Sequence, residues 1–168
     1  SPYGISKLNF ENYLNYFSYK KISKSKITIL RPGNIYGPWQ NPDGEAGVIS
    51  IFAKKMLKNE TVSIFGSGKE YRDYIYVDDV IEFIFYVINS NIIGTYNLSS
   101  GISTKTIEIF ENISNLLSYK NDPVFYDNRE GDIFGIELDN SKSMSIGWSA
   151  NTNLNSGLLN TINFLKDL

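Results

Sequence analysis

Tyr3 and Lys7 lie four residues apart near the start of the chain, a spacing that puts both side chains on one face of a helix. An ammonium held beside a phenol favours the phenolate over the neutral form, whose ordinary pKa is about 10. Such a pair can take a proton from a hydroxyl near neutral pH. Composition narrows the other candidates. The 168 residues include no His and no Cys, which removes Ser–His catalysis, thiol nucleophiles, disulfides and imidazole or thiolate metal sites. Proton transfer falls to Tyr, Lys, Ser, Thr or a carboxylate. Taken alone, Tyr-x-x-x-Lys is still better explained as a core aromatic beside a solvated lysine, because Tyr16 and Lys20 repeat the spacing in a chain with 12 Tyr.

Three further features carry less chemistry than their residues suggest. Gly66-Ser67-Gly68 lacks the third Gly of a dinucleotide fingerprint and reads as a turn between strands. Asp78-Asp79 resembles a metal-binding pair but fits a helix cap better. Tyr71, Tyr74 and Tyr76 read as strand residues in a core or pocket wall rather than as a nucleic-acid stacking platform.

These groups need elements to hold them. Ser1-Pro2 opens a helix, with Phe10, Tyr13, Leu14 and Phe17 as an apolar stripe. Residues 26–30 read as a strand stopped by Pro32-Gly33. A helix over 48–58 carries Val48, Phe52, Met56 and Leu57 on one face. Residues 62–65 and 71–77 are strands. Asp78 or Asp79 caps the next helix, with Val80, Ile81, Ile84 and Ile88 pointing inward. A strand over 94–98 precedes a helix opened by Ser103 that carries Ile107, Phe110, Ile113 and Leu117. Residues 124–126 form a strand, and a last helix carries Leu154, Leu158, Ile162 and Leu165. This alternation predicts an α/β fold with parallel strands. The net charge of −2 gives no field for nucleic acid or anionic lipid. The longest apolar stretch, 80–88, is interrupted by Glu82 and falls far short of the roughly 20 residues that cross a bilayer. Neither nucleic acid nor membrane is an expected partner. No secretory leader opens the chain, and a reducing, cytoplasmic setting fits the missing Cys.

Six strings bring the scattered residues together: Ser-Pro-Tyr-Gly-Ile-Ser-Lys at 1–7, Leu-Arg-Pro-Gly-Asn-Ile-Tyr-Gly-Pro at 30–38, Asn-Pro-Asp-Gly-Glu-Ala-Gly-Val-Ile-Ser-Ile-Phe at 41–52, Phe-Gly-Ser-Gly-Lys-Glu-Tyr-Arg-Asp-Tyr-Ile-Tyr-Val-Asp-Asp-Val at 65–80, Arg-Glu-Gly-Asp at 129–132, and Gly147-Trp148 ahead of Leu154-Asn155-Ser156-Gly157-Leu158. In this order they resemble the NAD-dependent epimerase/dehydratase family of extended short-chain dehydrogenases, over nearly the whole chain. The 41–52 string is most like the UDP-glucose 4-epimerase branch.

The resemblance implies a fold, a site and a reaction. Residues 1–168 would form one unit, the last parallel strands and helices of a Rossmann-like sheet interleaved with the small nucleotide-sugar-binding domain. The N-terminal NAD-binding half, with its Gly-rich turn and ribose-binding acid, would lie before Ser1. Tyr3 resembles the base that deprotonates the sugar 4-hydroxyl, and Lys7 its partner, which also holds the nicotinamide ribose. Pro32 and Gly33 would approach the nicotinamide. Asn34 would bond the substrate near its phosphates, Gly47 and Val48 would cradle the nucleotide, and Ser63, Ile64 and Phe65 would line the uracil. Arg72 and Arg129 would hold diphosphate and ribose, with Asp132 steadying that corner. The arginines carry an argument of their own. Only Arg31, Arg72 and Arg129 occur among 16 Lys and Arg, and a planar guanidinium grips phosphate oxygens in pairs as Lys cannot. Arg31, next to a buried strand, reads as structural.

The implied reaction is NAD-dependent 4-epimerisation of a UDP-hexose, with this chain alone inactive. The alternatives are a dTDP-glucose 4,6-dehydratase, a UDP-glucuronate 4-epimerase, or a non-catalytic remnant that binds a nucleotide sugar or a protein. The family also implies a homodimer through the helix of residues 3–20. Ser99 stands where the family often has Gly, Ala150 where it often has Pro, and Ile136 where some epimerases place a ligand-contacting Tyr.

Overall fold

A Ser hydroxyl ahead of a Pro can cap a first helical turn, and here it does. Ser1 Oγ accepts a hydrogen bond from the Gly4 N–H at 3.2 Å, opening helix α1, Pro2–Tyr19. The structure is a computed structural model that describes residues 1–20, 26–43 and 47–168. The chain continues through β1 (Thr28–Pro32), β2 (Asn34–Tyr36), α2 (Val48–Leu57), β3 (Ser63–Phe65), β4 (Tyr71–Tyr76), α3 (Val77–Ser90) and β5 (Gly94–Leu98). It then forms β6 (Ser103–Lys105), α4 (Thr106–Leu117), β7 (Val124–Tyr126), the short α5 (Ser141–Ser145) and α6 (Leu154–Lys166). The mixed α/β class and the parallel strands are as the alternation predicts. Strand β1 pairs parallel with β5, β2 with β4, and β3 with β7, while β6 adds antiparallel to β4. Gly66-Ser67-Gly68 makes no hairpin, because β3 and β4 lie in different sheets.

Two apolar clusters hold these elements. The larger packs α2, α4 and α6 around β2 and β4 through Phe52, Met56, Ile109, Ile113, Leu158 and Tyr36. Each such side chain, fully buried, contributes about 1.5–3 kcal/mol. Helix α6 sits so close that a Cβ on Gly157 would lie 2.2 Å from the Tyr36 hydroxyl. The smaller cluster joins α3 to β4 and β5 through Val80, Phe83, Tyr96, Leu98 and Trp148.

The structure corrects several expectations. Ile81, Ile84 and Ile88 do not point inward; they remain 45%, 40% and 63% exposed, while Phe83 is fully buried. Helix α3 is apolar around much of its surface, and its period alone cannot say which stripe meets the sheet. Neither Asp78 nor Asp79 caps this helix, which starts one residue earlier from the Tyr76 backbone. Both carboxylates sit in the first turn, where the helix dipole favours them. Asp79 is buried and accepts from the Asn151 N–H at 3.1 Å and the Thr152 hydroxyl at 3.2 Å, tying down a distant loop. Ser103 does not open a helix. It pairs with Asp73 in β6, and α4 begins three residues later, with Glu108 accepting the Lys105 N–H at 2.9 Å. Tyr74 and Tyr76 do join the core as expected, whereas Tyr71 meets Phe134 edge to face. Pro32 ends β1 from inside the strand, paired with Leu98.

Candidate active site

Helix α1 and strand β1 enclose a cleft of about 670 Å³. Tyr3, Lys7, Glu11 and Leu14 line it from the helix, and Leu30 to Gly33 from the strand and the step beyond it. The Lys7 ammonium lies 5.3 Å from the centroid of the Tyr3 ring, so its contact is with the π face. Tyr3 is 72% exposed. Three phenols elsewhere in the fold ionise less readily than a free one. Burial pushes Tyr74 up to about 12 and raises Tyr76 as well; burial, then the charge of Asp79, does the same to Tyr36.

Gly33 occupies the step from β1 into β2. Its N–H donates to the Leu98 carbonyl at 2.8 Å, and a Cβ there would lie 2.6 Å from the Asp73 carbonyl oxygen. Backbone approach therefore demands Gly at this position without help from any ligand. Asn34 follows at the exposed start of β2 and lines neither cleft.

A second cleft, about 410 Å³, opens between α2, β3, β4 and the 129–133 segment. It gathers Val48, Ser63, Ile64, Phe65, Arg72, Arg129 and Asp132. The Arg129 guanidinium stacks 3.8 Å above the Phe65 ring centroid, and Phe65 stacks in turn on Tyr126 at 5.6 Å. Arg72 Nη1 donates to the Tyr71 carbonyl at 2.8 Å and to the Phe134 carbonyl at 3.4 Å, which braces the guanidinium; among the described residues Nε and Nη2 make no hydrogen bond. The Asp132 N–H bonds the Arg129 carbonyl at 3.1 Å and closes the turn between them. Gly47 stands apart from this cleft as the N-cap of α2, against the Gln40 side chain. The part of the 41–52 string at residues 44–46 lies outside the described residues.

Sequence reasoning missed Lys55, Glu70 and Thr106 on the walls of this cleft. Glu70 accepts from the Ser67 N–H and hydroxyl, both at 3.0 Å. Burial raises its carboxyl, but these bonds prevail and hold it below the usual range. The acidic residue three after Ser67 was a visible turn signal. A third cavity, about 500 Å³, lies between Trp39, Lys54 and Phe164, with the Trp39 ring 4.8 Å from that of Phe164. Among the described residues no cluster of three metal-ligating side chains occurs, and no helix is long and apolar enough to cross a membrane.

Comparison with known proteins identifies a family. Residues 1–99 match the NAD dependent epimerase/dehydratase family. The putative UDP-glucose 4-epimerase of Methanocaldococcus jannaschii is 37% identical over 99% of the chain and 54% of its own length. The UDP-glucose 4-epimerase of Thermotoga maritima, solved with UDP-glucose, superposes with a TM-score of 0.92 at 37% identity, again over 99% of this chain and 54% of that one. The Thermus thermophilus UDP-glucose 4-epimerase, solved with NAD, gives a TM-score of 0.89 at 33% identity, with 99% and 54% covered. The chain thus spans about half the length of these relatives. Its motifs, its α/β architecture and these likenesses agree: the chain belongs to the NAD-dependent epimerase/dehydratase family.

Proposed function

We propose that this chain supplies the base and most of the nucleotide-sugar cleft of a UDP-glucose/UDP-galactose 4-epimerase. The observation that carries the reading is the second cleft, where four separate segments bring an aromatic stack and two arginines to one place. A wall of aromatic and cationic groups suits a flat base, and a diphosphate suits the two guanidinium forks. The UDP-glucose held by the Thermotoga relative supports this class of substrate.

The first cleft fits only one end of NAD. The Tyr3 hydroxyl and Lys7 ammonium offer donors to a nicotinamide ribose, but the 168 residues hold no Gly-x-Gly-x-x-Gly turn for the pyrophosphate. Residues outside this chain must supply that cradle, so the chain alone turns over no sugar. When bound, NAD would supply a reversible hydride acceptor for C4 of the hexose. Tyr3 takes the 4-hydroxyl proton as that carbon is oxidised and gives it back as it is reduced. Lys7 keeps positive charge beside the phenolate through both halves. Residues 1–168 act as one unit, paired with a second copy through α1, in a reducing cytoplasm.

The test is conversion of UDP-glucose to UDP-galactose by the full-length enzyme. Tyr3→Phe keeps the ring and loses the proton acceptor, so the rate should fall about 10²- to 10⁴-fold with UDP affinity unchanged. A variant that keeps more than about a tenth of the rate overturns the assignment. A 4-keto-6-deoxy product from the unaltered enzyme keeps Tyr3 as base but makes the enzyme a dehydratase.

A further inference from the structure

Helix α1 carries both Tyr3 and Lys7, yet it buries none of its residues. Glu11 and Leu14 alone escape full exposure. Among the described residues, only Arg31 forms hydrogen bonds between this helix and the rest of the molecule. Its Nε donates to Glu11 Oε1 at 2.9 Å and its Nη2 to Glu11 Oε2 at 2.5 Å, a two-pronged grip on one carboxylate. That carboxylate is only 16% exposed, and the bond from Arg31 holds it below the usual Glu range. Tyr3, Lys7 and Glu11 occupy successive turns, so the grip lies two turns from the phenol on nearly the same face. Arg31 immediately precedes Pro32-Gly33, the residues facing Tyr3 across the cleft. The geometry has a second consequence. A Glu four residues after a Lys on a helix can pair with it. Arg31 occupies both Glu11 oxygens, and the Lys7 ammonium stays over the Tyr3 ring.

We infer that Glu11 and Arg31 are a positioning pair, a charged clasp that sets the catalytic helix against the Pro32-Gly33 end of β1 and reserves Lys7 for Tyr3. The inference rests on Tyr3 being the base. Neither residue touches substrate; both act through the placement of α1.

Hydrogen exchange on the 168-residue chain tests the clasp directly. Glu11→Gln and Arg31→Met should each speed exchange of α1 amides about fivefold, the effect of losing a well-aligned pair near the surface. Amides of α2, α4 and α6 should not change. The exchanged pair Glu11→Arg with Arg31→Glu should restore slow exchange, as no loss of packing could. In the full-length enzyme, either single variant should lower kcat by a similar factor and leave the KM for UDP-glucose unchanged. Unaltered α1 exchange in both single variants overturns the clasp. Faster exchange with unchanged kcat overturns its positioning role, and so does failure of the exchanged pair to rescue. These outcomes differ from failure of the underlying reading, in which Tyr3→Phe would itself remain active.

Discussion

Helix α1 and the Arg72–Arg129 cleft are built in opposite ways. The cleft is lined by elements that also form the main core: Phe52 and Ile64, both buried core residues, reach its wall. The helix touches the molecule along one edge and leaves Tyr3, Ile5, Leu8, Phe10 and Tyr13 more than half exposed. Apolar residues exposed in such number are unusual on the surface of a monomeric protein. The groups proposed to grip the nucleotide are thus held by packing within the chain. The groups proposed to do the chemistry depend on one ion pair and on whatever covers α1.

The sharpest way to break this contrast is ligand binding by the 168-residue chain alone. UDP should bind, because most of the cleft proposed for it lies within these residues, whereas NAD should show no saturable micromolar binding because its pyrophosphate has no cradle among them. Calorimetric titration of both ligands decides it, and tight NAD binding would erase the distinction between the two regions. The next largest effect is on stability. Phe52→Ala should cost about 3–5 kcal/mol in urea unfolding, while Phe10→Ala in exposed α1 should stay within about 0.5 kcal/mol. Equal costs would mean that α1 is packed after all.

Within the cleft, Arg72→Ala should weaken UDP binding by about 2 kcal/mol, near thirtyfold, and Arg72→Lys by less, because Lys keeps the charge and loses the fork. Unchanged affinity in both variants would return Arg72 to a bracing role through the Tyr71 carbonyl. The smallest expected effect is at Glu70, whose folded-state carboxyl lies below its ordinary range of about 4.3. A depressed carboxyl stabilises the fold fully above the unfolded value and loses that contribution as pH falls through the folded one. Glu70→Gln should therefore be less stable at pH 6 by under about 1 kcal/mol, and the gap should narrow as pH falls below the ordinary carboxylate range. A gap that widens in acid would reverse the sign and the account.

Some of this was legible in the residues alone. Ser1-Pro2 specified a helix start because capping is local, and 124–126 read correctly as a strand between loops. Tyr3 and Lys7 stand out as candidates only because the six strings occur together; Tyr3-x-x-x-Lys7 by itself was no stronger than Tyr16-x-x-x-Lys20. Ser103 misled because a capping residue and a strand residue look alike until a partner strand is present.

What the sequence by itself determined is the set of local devices: caps, turns, apolar periods and the supply of chemically able side chains. Those depend on neighbours within a few residues. Only the tertiary structure decided which stripe of α3 is buried, that Asp79 holds the 151–152 loop, and that Arg31 clasps Glu11 twenty positions away. Each of these choices has several locally acceptable answers, and the one realised is set by what packs or pairs against it across the fold.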